Sequence, residues 1–302
     1  MNEHLTTWND TATRAAIEAF VAAATTPGDP GYLQPAERIA VFDNDGTLWT
    51  EKPVPVQLDF ILRELAAAAE ADASLREREP YRAARERDLG WMESAFVKHY
   101  QGDDTDLRVF STAVTETVGG RSIDDYAERV RDFFATARHP ANGRLYTECA
   151  YAPMLELLRY LEAHGFLTFI VSGGDRDFMR PIAESVYDLP RERVVGSSFG
   201  LDYTDGGVIY KAALDVFDVG PQKALQIWAH IGRRPAIACG NSNGDLEMLR
   251  FAGSDGRAAL RLVVGHDDAE RDAADRGGAD AVLTGEFTVI SMKDDWATVY
   301  GT

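Results

Sequence analysis

The stretch Arg38-Ile-Ala-Val-Phe-Asp43-Asn-Asp-Gly-Thr47 decides the reading of this chain. Residues 38–42 form a short apolar run, the pattern of a strand buried on both faces. The run leads directly into two carboxylates two residues apart, Asp43 and Asp45. Gly46 follows and permits an unusual backbone turn with close approach of a ligand. Two acids at a strand end can face one site if the strand breaks there. One can then attack phosphorus while the other manages protons. The plainer reading is an Asp/Gly-rich turn after a strand.

The chain alternates helix and strand on both sides of a long helical stretch. Helical spacing covers residues 11–24, and residues 27–35 form a Pro/Gly/Asp connector. Residues 56–137 read as almost entirely helical. Beyond residue 152 the pattern predicts helices at 154–164, 178–187, 221–231 and 246–251. Strands are predicted at 167–171, 194–199, 236–239, 260–264 and 289–292. Runs at 201–203 and 208–211 flank Asp205-Gly-Gly207, a hairpin signal. Such alternation predicts an α/β fold, a doubly wound parallel sheet with helices on both faces. Ligands of such sheets bind at the carboxyl ends of the strands. The expected domains are an α/β core of residues 1–51 and 151–302 and an inserted α-helical cap of residues 52–150.

Three further polar strings fall at strand ends or helix starts. Ser172-Gly-Gly174 can hold phosphate oxygens through a hydroxyl and exposed amides, or can simply cap the next helix. Lys223 lies in the first turn of a helix, where a cation opposes the helix dipole, which hints at a role beyond solvation. Gly240-Asn-Ser-Asn-Gly-Asp245 carries oxygen ligands of the kind Mg²⁺ takes, though such strings also form turns.

The bulk properties limit the function classes. The 302 residues carry a formal charge of −18, an excess that repels nucleic acid and anionic membrane surfaces. It leaves room for a small phosphorylated substrate where a metal or lysine reverses the local sign. Cys149 and Cys239, the two cysteines, fit neither a disulfide framework nor a zinc spacing. No apolar run approaches the ~20 residues that span a bilayer. Residues 1–8 lack the pattern of a signal peptide, so a cytoplasmic location is expected.

In their order and spacing the four strings resemble the four motifs of the haloacid dehalogenase (HAD) superfamily, over about residues 38–265. Within it the chain is similar to the phosphoserine-phosphatase-like hydrolases with a helical cap. The resemblance implies a HAD-like Rossmannoid core and a Mg²⁺-dependent phosphomonoester hydrolase for a small phosphorylated metabolite. Asp43 would be the nucleophile that forms an aspartyl-phosphate, and Asp45 the general acid/base. Ser172, Gly173 and Lys223 would bind phosphate. Asp43, Asp45, Asn241 and Asp245 would hold Mg²⁺, with Asn241 standing where the family usually has Asp. Glu51 lies where related enzymes often recognise substrate, against the alternative of a surface glutamate. Trp91, His99 and Tyr100 are cap candidates that also suit helix packing. Asp45 argues against a true dehalogenase. A Thr at that place and transmembrane helices, both missing, would mark a P-type ATPase. A phosphomutase or a catalytically weak ligand-binding protein shares the scaffold.

Overall fold

The computed structural model describes residues 5–100, 103, 105–272 and 279–301. The side chains of Leu89, Glu93, Phe96, Val97, His99 and Tyr100 also lie outside the described residues.

Along the chain, α1 (Ala12–Thr25) precedes β1 (Ile39–Phe42), and five helices follow. These are α2 (Val56–Ala71), α3 (Tyr81–Glu86), α4 (Leu89–Tyr100), α5 (Thr105–Val118) and α6 (Ile123–Thr136). Next come α7 (Ala152–Ala163), β2 (Leu167–Asp175), α8 (Arg176–Met179), α9 (Ala183–Tyr187), β3 (Val194–Thr204) and β4 (Gly207–Val216). The chain closes with α10 (Pro221–Ile231), β5 (Ile237–Gly240), α11 (Leu246–Phe251), β6 (Leu260–Gly265) and β7 (Thr288–Ser291). Among the described residues no helix is long and apolar enough to cross a membrane.

The chain divides into two compact units. The first comprises Met1–Pro53, Thr136–Ser197 and Phe217–Thr302. Its strands run parallel in the order β3-β2-β1-β5-β6-β7, the doubly wound arrangement expected from the alternating pattern. All four residues of β1 and all four of β5 are buried, as strands covered on both faces must be. One core cluster joins Val41, Val171, Val195 and Val263 of the sheet to Ile227 of α10 and Met248 and Leu249 of α11. The order reverses between β1 and β5, and crevices of this kind open at such a point.

The second unit comprises Val54–Ala135 and Ser198–Val216. Leu65, Ala69, Tyr81, Ala84 and Ala113 form its helical core. Beyond Ser197, β3 runs on to pair antiparallel with β4. The connecting Asp205 and Gly206 both have positive φ, 49° and 83°, as a tight hairpin turn requires. The hairpin packs on the helices through aromatic rings, with Tyr210 edge-on to Tyr126 at 5.2 Å and to Phe199 at 6.0 Å. Trp91 lies half-buried on α4, whereas the His99 and Tyr100 side chains fall outside the described residues.

Residues 136–150, grouped with the helical insertion on pattern alone, lie in the first unit, and residues 198–216 lie in the second. The 136–150 stretch has no period to read. Backbone and side-chain bonds tie it to the segment after β1, including Thr50 N to Cys149 O at 3.1 Å and His139 Nε2 to Lys52 O at 2.6 Å. The helix expected at 178–187 is broken into α8, a tight turn at Arg180–Ile182, and α9. Pro181, inside that turn, has no N–H to continue an α-helical ladder. Both cysteines are free and buried.

Candidate active site

The residues of the four polar strings, and Glu51, belong to the first unit, most of them at the carboxyl ends of β1, β2 and β5. Asp43 follows β1 directly, and its N–H donates to Cys239 O at 2.9 Å, which holds it beside the end of β5. The chain then turns sharply. Gly46 has φ +72°, and Gly46 N donates to Trp49 O at 2.9 Å. The turn is closed from outside by His266, whose Nε2 donates to Gly46 O at 2.7 Å.

Lys223 joins three of the four strings. It is the third residue of α10 and only 3% exposed. Its Nζ donates to Asp43 Oδ1 at 2.7 Å and to Asp245 Oδ1 at 2.5 Å. A buried ammonium at the positive end of a helix is unfavourable alone, and two carboxylates offset that cost here. Burial acts against the lysine charge, but Asp245 and Asp43 outweigh it and push the Lys223 pKa up. Burial, then the neighbouring Asp245 carboxylate, push the Asp43 carboxyl up as well, against the pull of Lys223. Asp45 is pushed up to about 6, first by burial and then by Glu51, against a 2.8 Å bond from Trp49 Nε1.

Asp245 is fully buried and uses both oxygens. Oδ1 takes Lys223, and Oδ2 accepts from the N–H groups of Asn241 and Ser242, each at 3.0 Å. A side chain at position 240 would prevent this loop from closing, because a Cβ there would lie 2.5 Å from Asp245 Cβ and Cγ. Asn241 heads the loop and is 7% exposed. Its Nδ2 donates to Glu51 Oε2 at 3.3 Å, and its Oδ1 accepts from Thr47 Oγ1 at 3.3 Å. That placement faces Oδ1 with two acceptors; with the amide turned, its NH₂ donates to Asp45 O at 3.0 Å and to Asp43 Oδ2 and Thr47 Oγ1 at 3.3 Å. Glu51 is half-buried against the Asn241 amide.

Ser172 and Gly173 lie within β2, which extends to Asp175 through a register shift rather than ending at residue 171. Ser172 is 1% exposed, and its Oγ accepts from Gly174 N at 3.1 Å. Among the described residues no hydrogen bond joins Ser172 or Gly173 directly to the Asp43–Lys223–Asp245 group. The neighbouring turn is held by Ser197, whose Oγ donates to Gly173 O at 2.7 Å and accepts from Asp218 N at 2.9 Å.

Two buried residues of the site escaped the sequence reading. Asn44, between the two acids, is fully buried and accepts from Tyr187 Oη at 2.7 Å, while its Nδ2 has no partner. Asp218 is fully buried, and neither carboxylate oxygen has a hydrogen-bond partner among the described residues. Burial pushes it up to about 6; Lys223 pulls down and Asp245 pushes further up. Asp218 lies five residues before Lys223 in a stretch whose pattern announces only the coming helix.

The group can neutralise and position an anion, and it offers one carboxylate tied to a lysine and a second beside it whose carboxyl is pushed up to about 6. No group of three or more His, Cys, Asp or Glu side chains among the described residues forms a metal cluster. Asp43 Oδ2, Asp45 O and Thr47 Oγ1 gather instead around the Asn241 amide.

No curated protein matches the chain. Among solved structures, it is similar to a protein of unknown function from Bordetella pertussis Tohama I, with 16% identity, a TM-score of 0.53, and coverage of 84% of this chain and 98% of that one. A conserved, functionally unknown protein from Anaerococcus prevotii DSM 20548 gives 15% identity and a TM-score of 0.53, covering 84% of this chain and 85% of that one. Cytosolic 5'-nucleotidase IIIB bound to cytidine gives 15% identity and a TM-score of 0.50, covering 87% and 81%. At these identities the likeness is one of fold. The family described as haloacid dehalogenase-like hydrolase matches residues 40–250, more than half of the 302 residues and all four polar strings. The chain belongs to the haloacid dehalogenase-like hydrolase family.

Proposed function

We propose that this hydrolase is a Mg²⁺-dependent phosphatase that cleaves a small phosphorylated metabolite through an aspartyl-phosphate on Asp43. The observation that carries the reading is the buried Lys223 ammonium, which ties Asp43 Oδ1 at 2.7 Å to Asp245 Oδ1 at 2.5 Å at the carboxyl end of β1. Asp43, the Asp45 carbonyl and Asn241 would hold the Mg²⁺, which when bound supplies positive charge against the phosphate and its nucleophile.

The chain's own residues account for the remaining chemistry. The Asp43 carboxylate attacks phosphorus as the ester P–O bond breaks, and Asp45 gives its proton to the leaving oxygen. Asp45 then takes a proton from water; that water attacks phosphorus, the Asp43–phosphorus bond breaks, and inorganic phosphate leaves. An acid pushed up to about 6 suits a group that must be proton donor in one half-reaction and acceptor in the next. Lys223 offsets the charge on Asp43 and on the phosphoryl oxygens. The Ser172 hydroxyl accepts from Gly174 and so keeps its own proton for a phosphate oxygen, with the Gly173 amide beside it. Asp245 orients Lys223 and the loop at Asn241 through both oxygens, and the lone pairs these bonds leave make it a further candidate ligand for the cation. In this reading the second unit is the cap that selects the substrate. Phosphate release across a panel of small phosphate esters, with Mg²⁺ and with chelator, tests the proposal. No Mg²⁺-dependent release from any ester, or equal release by Asp43→Asn, overturns it.

A further inference from the structure

Beyond Ser172, β2 and β3 fall out of step. Ser172 pairs with Gly196 and the next pair is Asp175 with Ser197, so Gly173 and Gly174 have no counterpart on β3. A bulge of this kind turns backbone groups out of the ladder and re-aims them. Two glycines leave it many conformations, and bonds from outside the ladder must select one. Two hydroxyls do so. Ser172 Oγ accepts from Gly174 N at 3.1 Å, and Ser197 Oγ donates to Gly173 O at 2.7 Å. The carbonyl and the N–H belong to one peptide unit, which is planar and trans, so they point in opposite directions. Holding the carbonyl on one side therefore aims the N–H on the other. β3 comes this close because position 196 is glycine: a Cβ there would lie 2.6 Å from Gly174 O and 3.2 Å from Arg176 N.

We propose that Ser197 is a positioning residue for phosphate binding: it fixes the Gly173–Gly174 peptide, so that Ser172 accepts from Gly174 and keeps its own proton for the ligand. This rests on the reading of Ser172 as a phosphate ligand. Ser197 is buried, and its hydroxyl also accepts from Asp218 N at 2.9 Å. An N–H can only donate and a carbonyl can only accept, so the single hydroxyl proton goes to Gly173 O. The bond from Asp218 ties the bulge to residues 218–220, which lead into α10 and Lys223. Gly220 N in turn donates to Gly244 O at 2.9 Å, in the loop that carries Asn241 and Asp245. Ser197 thus links the second polar string to the third and fourth. With alanine at position 197, Gly173 O and Asp218 N lose this partner. The diglycine peptide is then free to turn over, and its carbonyl takes the Ser172 proton that a phosphate oxygen needs.

The test is binding of inorganic phosphate to the full chain at fixed Mg²⁺, measured by titration calorimetry. Ser197→Ala is expected to weaken binding by on the order of 10-fold, the size of one hydrogen bond to a charged group. Ser197→Thr keeps the hydroxyl and is expected to stay within about 3-fold of the native chain. Because Ser197 acts through Ser172, adding Ser197→Ala to Ser172→Ala should cost less than about 3-fold. Thr168→Val is the control for lost stability alone. Thr168 is fully buried near the opposite end of β2 and donates to Glu162 Oε1 at 2.6 Å. Its replacement should lower the urea midpoint and leave phosphate binding unchanged. Ser197→Ala binding within about 2-fold of the native chain overturns the proposal. So does an equal cost of Ser197→Ala with and without Ser172→Ala, a Ser197→Thr as weak as Ser197→Ala, or a loss as large in Thr168→Val. The underlying reading is tested separately: if the native chain binds no phosphate, or Ser172→Ala binds it unchanged, that reading fails and this inference falls with it.

Discussion

Gly46→Ala tests how the turn after β1 is built, and its effect can be separated into two parts. The first is backbone conformation. Gly46 sits at φ +72°, where an L side chain costs ~1–2 kcal/mol. The second is contact. The new Cβ would lie 2.1 Å from Asn241 Nδ2 and 2.8 Å from its Cγ, so Asn241, 7% exposed, must swing away. It then loses its bonds to Glu51 and Thr47, each worth ~0.5–1.5 kcal/mol. Gly143 supplies the control: it lies in the same unit at φ +71°, with nothing within 4 Å of a Cβ. Gly143→Ala should lose only the conformational ~1–2 kcal/mol, and Gly46→Ala a further ~1–3 kcal/mol. Urea unfolding read by circular dichroism gives both values. Repeating it with Mg²⁺ at ten times the native Kd should stabilise the native chain and Gly143→Ala by ~1.4 kcal/mol. If displacement of Asn241 weakens Mg²⁺ about 10-fold, Gly46→Ala keeps only ~0.4 kcal/mol of that increment. Equal losses in the two alanine variants, with equal Mg²⁺ increments, would refute the reasoning.

Asp43→Asn should leave the fold intact and abolish turnover; retention of more than about a tenth of native activity, a barrier change under ~1.4 kcal/mol, excludes a covalent role. Asp45→Asn should slow turnover by on the order of 10²-fold or more. With a nitrophenyl ester, whose leaving group needs little protonation, the variant should accumulate phosphorylated Asp43, and intact-protein mass spectrometry that detects none counts against the scheme. Asp218 has a folded pKa raised to about 6 from 3.8, so its charge penalises the fold in full above about pH 6, and the penalty fades as pH falls from there toward 3.8. Asp218→Asn is therefore expected to stabilise by ~1–2 kcal/mol at pH 8 and by little near pH 4, less whatever its buried NH₂ leaves unpaired. A pH-independent difference in urea midpoint would rule this out.

The parallel core was legible because its signals are local. The four apolar residues before Asp43 and the run 236–239 before Gly240 read as strands, and β1 and β5 stand there, buried throughout. The contacts that give the site its geometry are not local. Lys223 finds Asp43 across 180 positions, and Thr47 finds Asn241 across 194. Spacing along the chain carries no trace of such pairs, which is why motif resemblance was needed to bring the four strings together. Position 51 shows the limit of that resemblance: it names the place, but the amide that Glu51 faces comes from a residue 190 positions away. Residues 136–150 were opaque for another reason. They are held by separate backbone bonds and buried single side chains such as Tyr146 and Cys149, without a period. Asp218 was invisible because nothing in sequence marks a carboxyl group that will be buried without partners.

The central place of β1 bears on how the protein is made. The strand lies between β2 and β5, with Ile39 beside Leu167 and Ala40 beside Ile237. At translation rates of 5–20 residues per second, a newly emerged Ile-Ala-Val-Phe segment waits about 6–25 s for its first neighbour, and longer for its second. Throughout that interval it is an uncharged, proline-free apolar strand with two open edges, the kind of segment that pairs with other chains. The charged residues around it, Glu37 and Arg38 before and Asp43 and Asp45 after, frame it closely. Asp43 and Asp45 thus place charge beside the nascent strand well before the fold is complete, and neutral substitutions at either position should lower the soluble yield during synthesis.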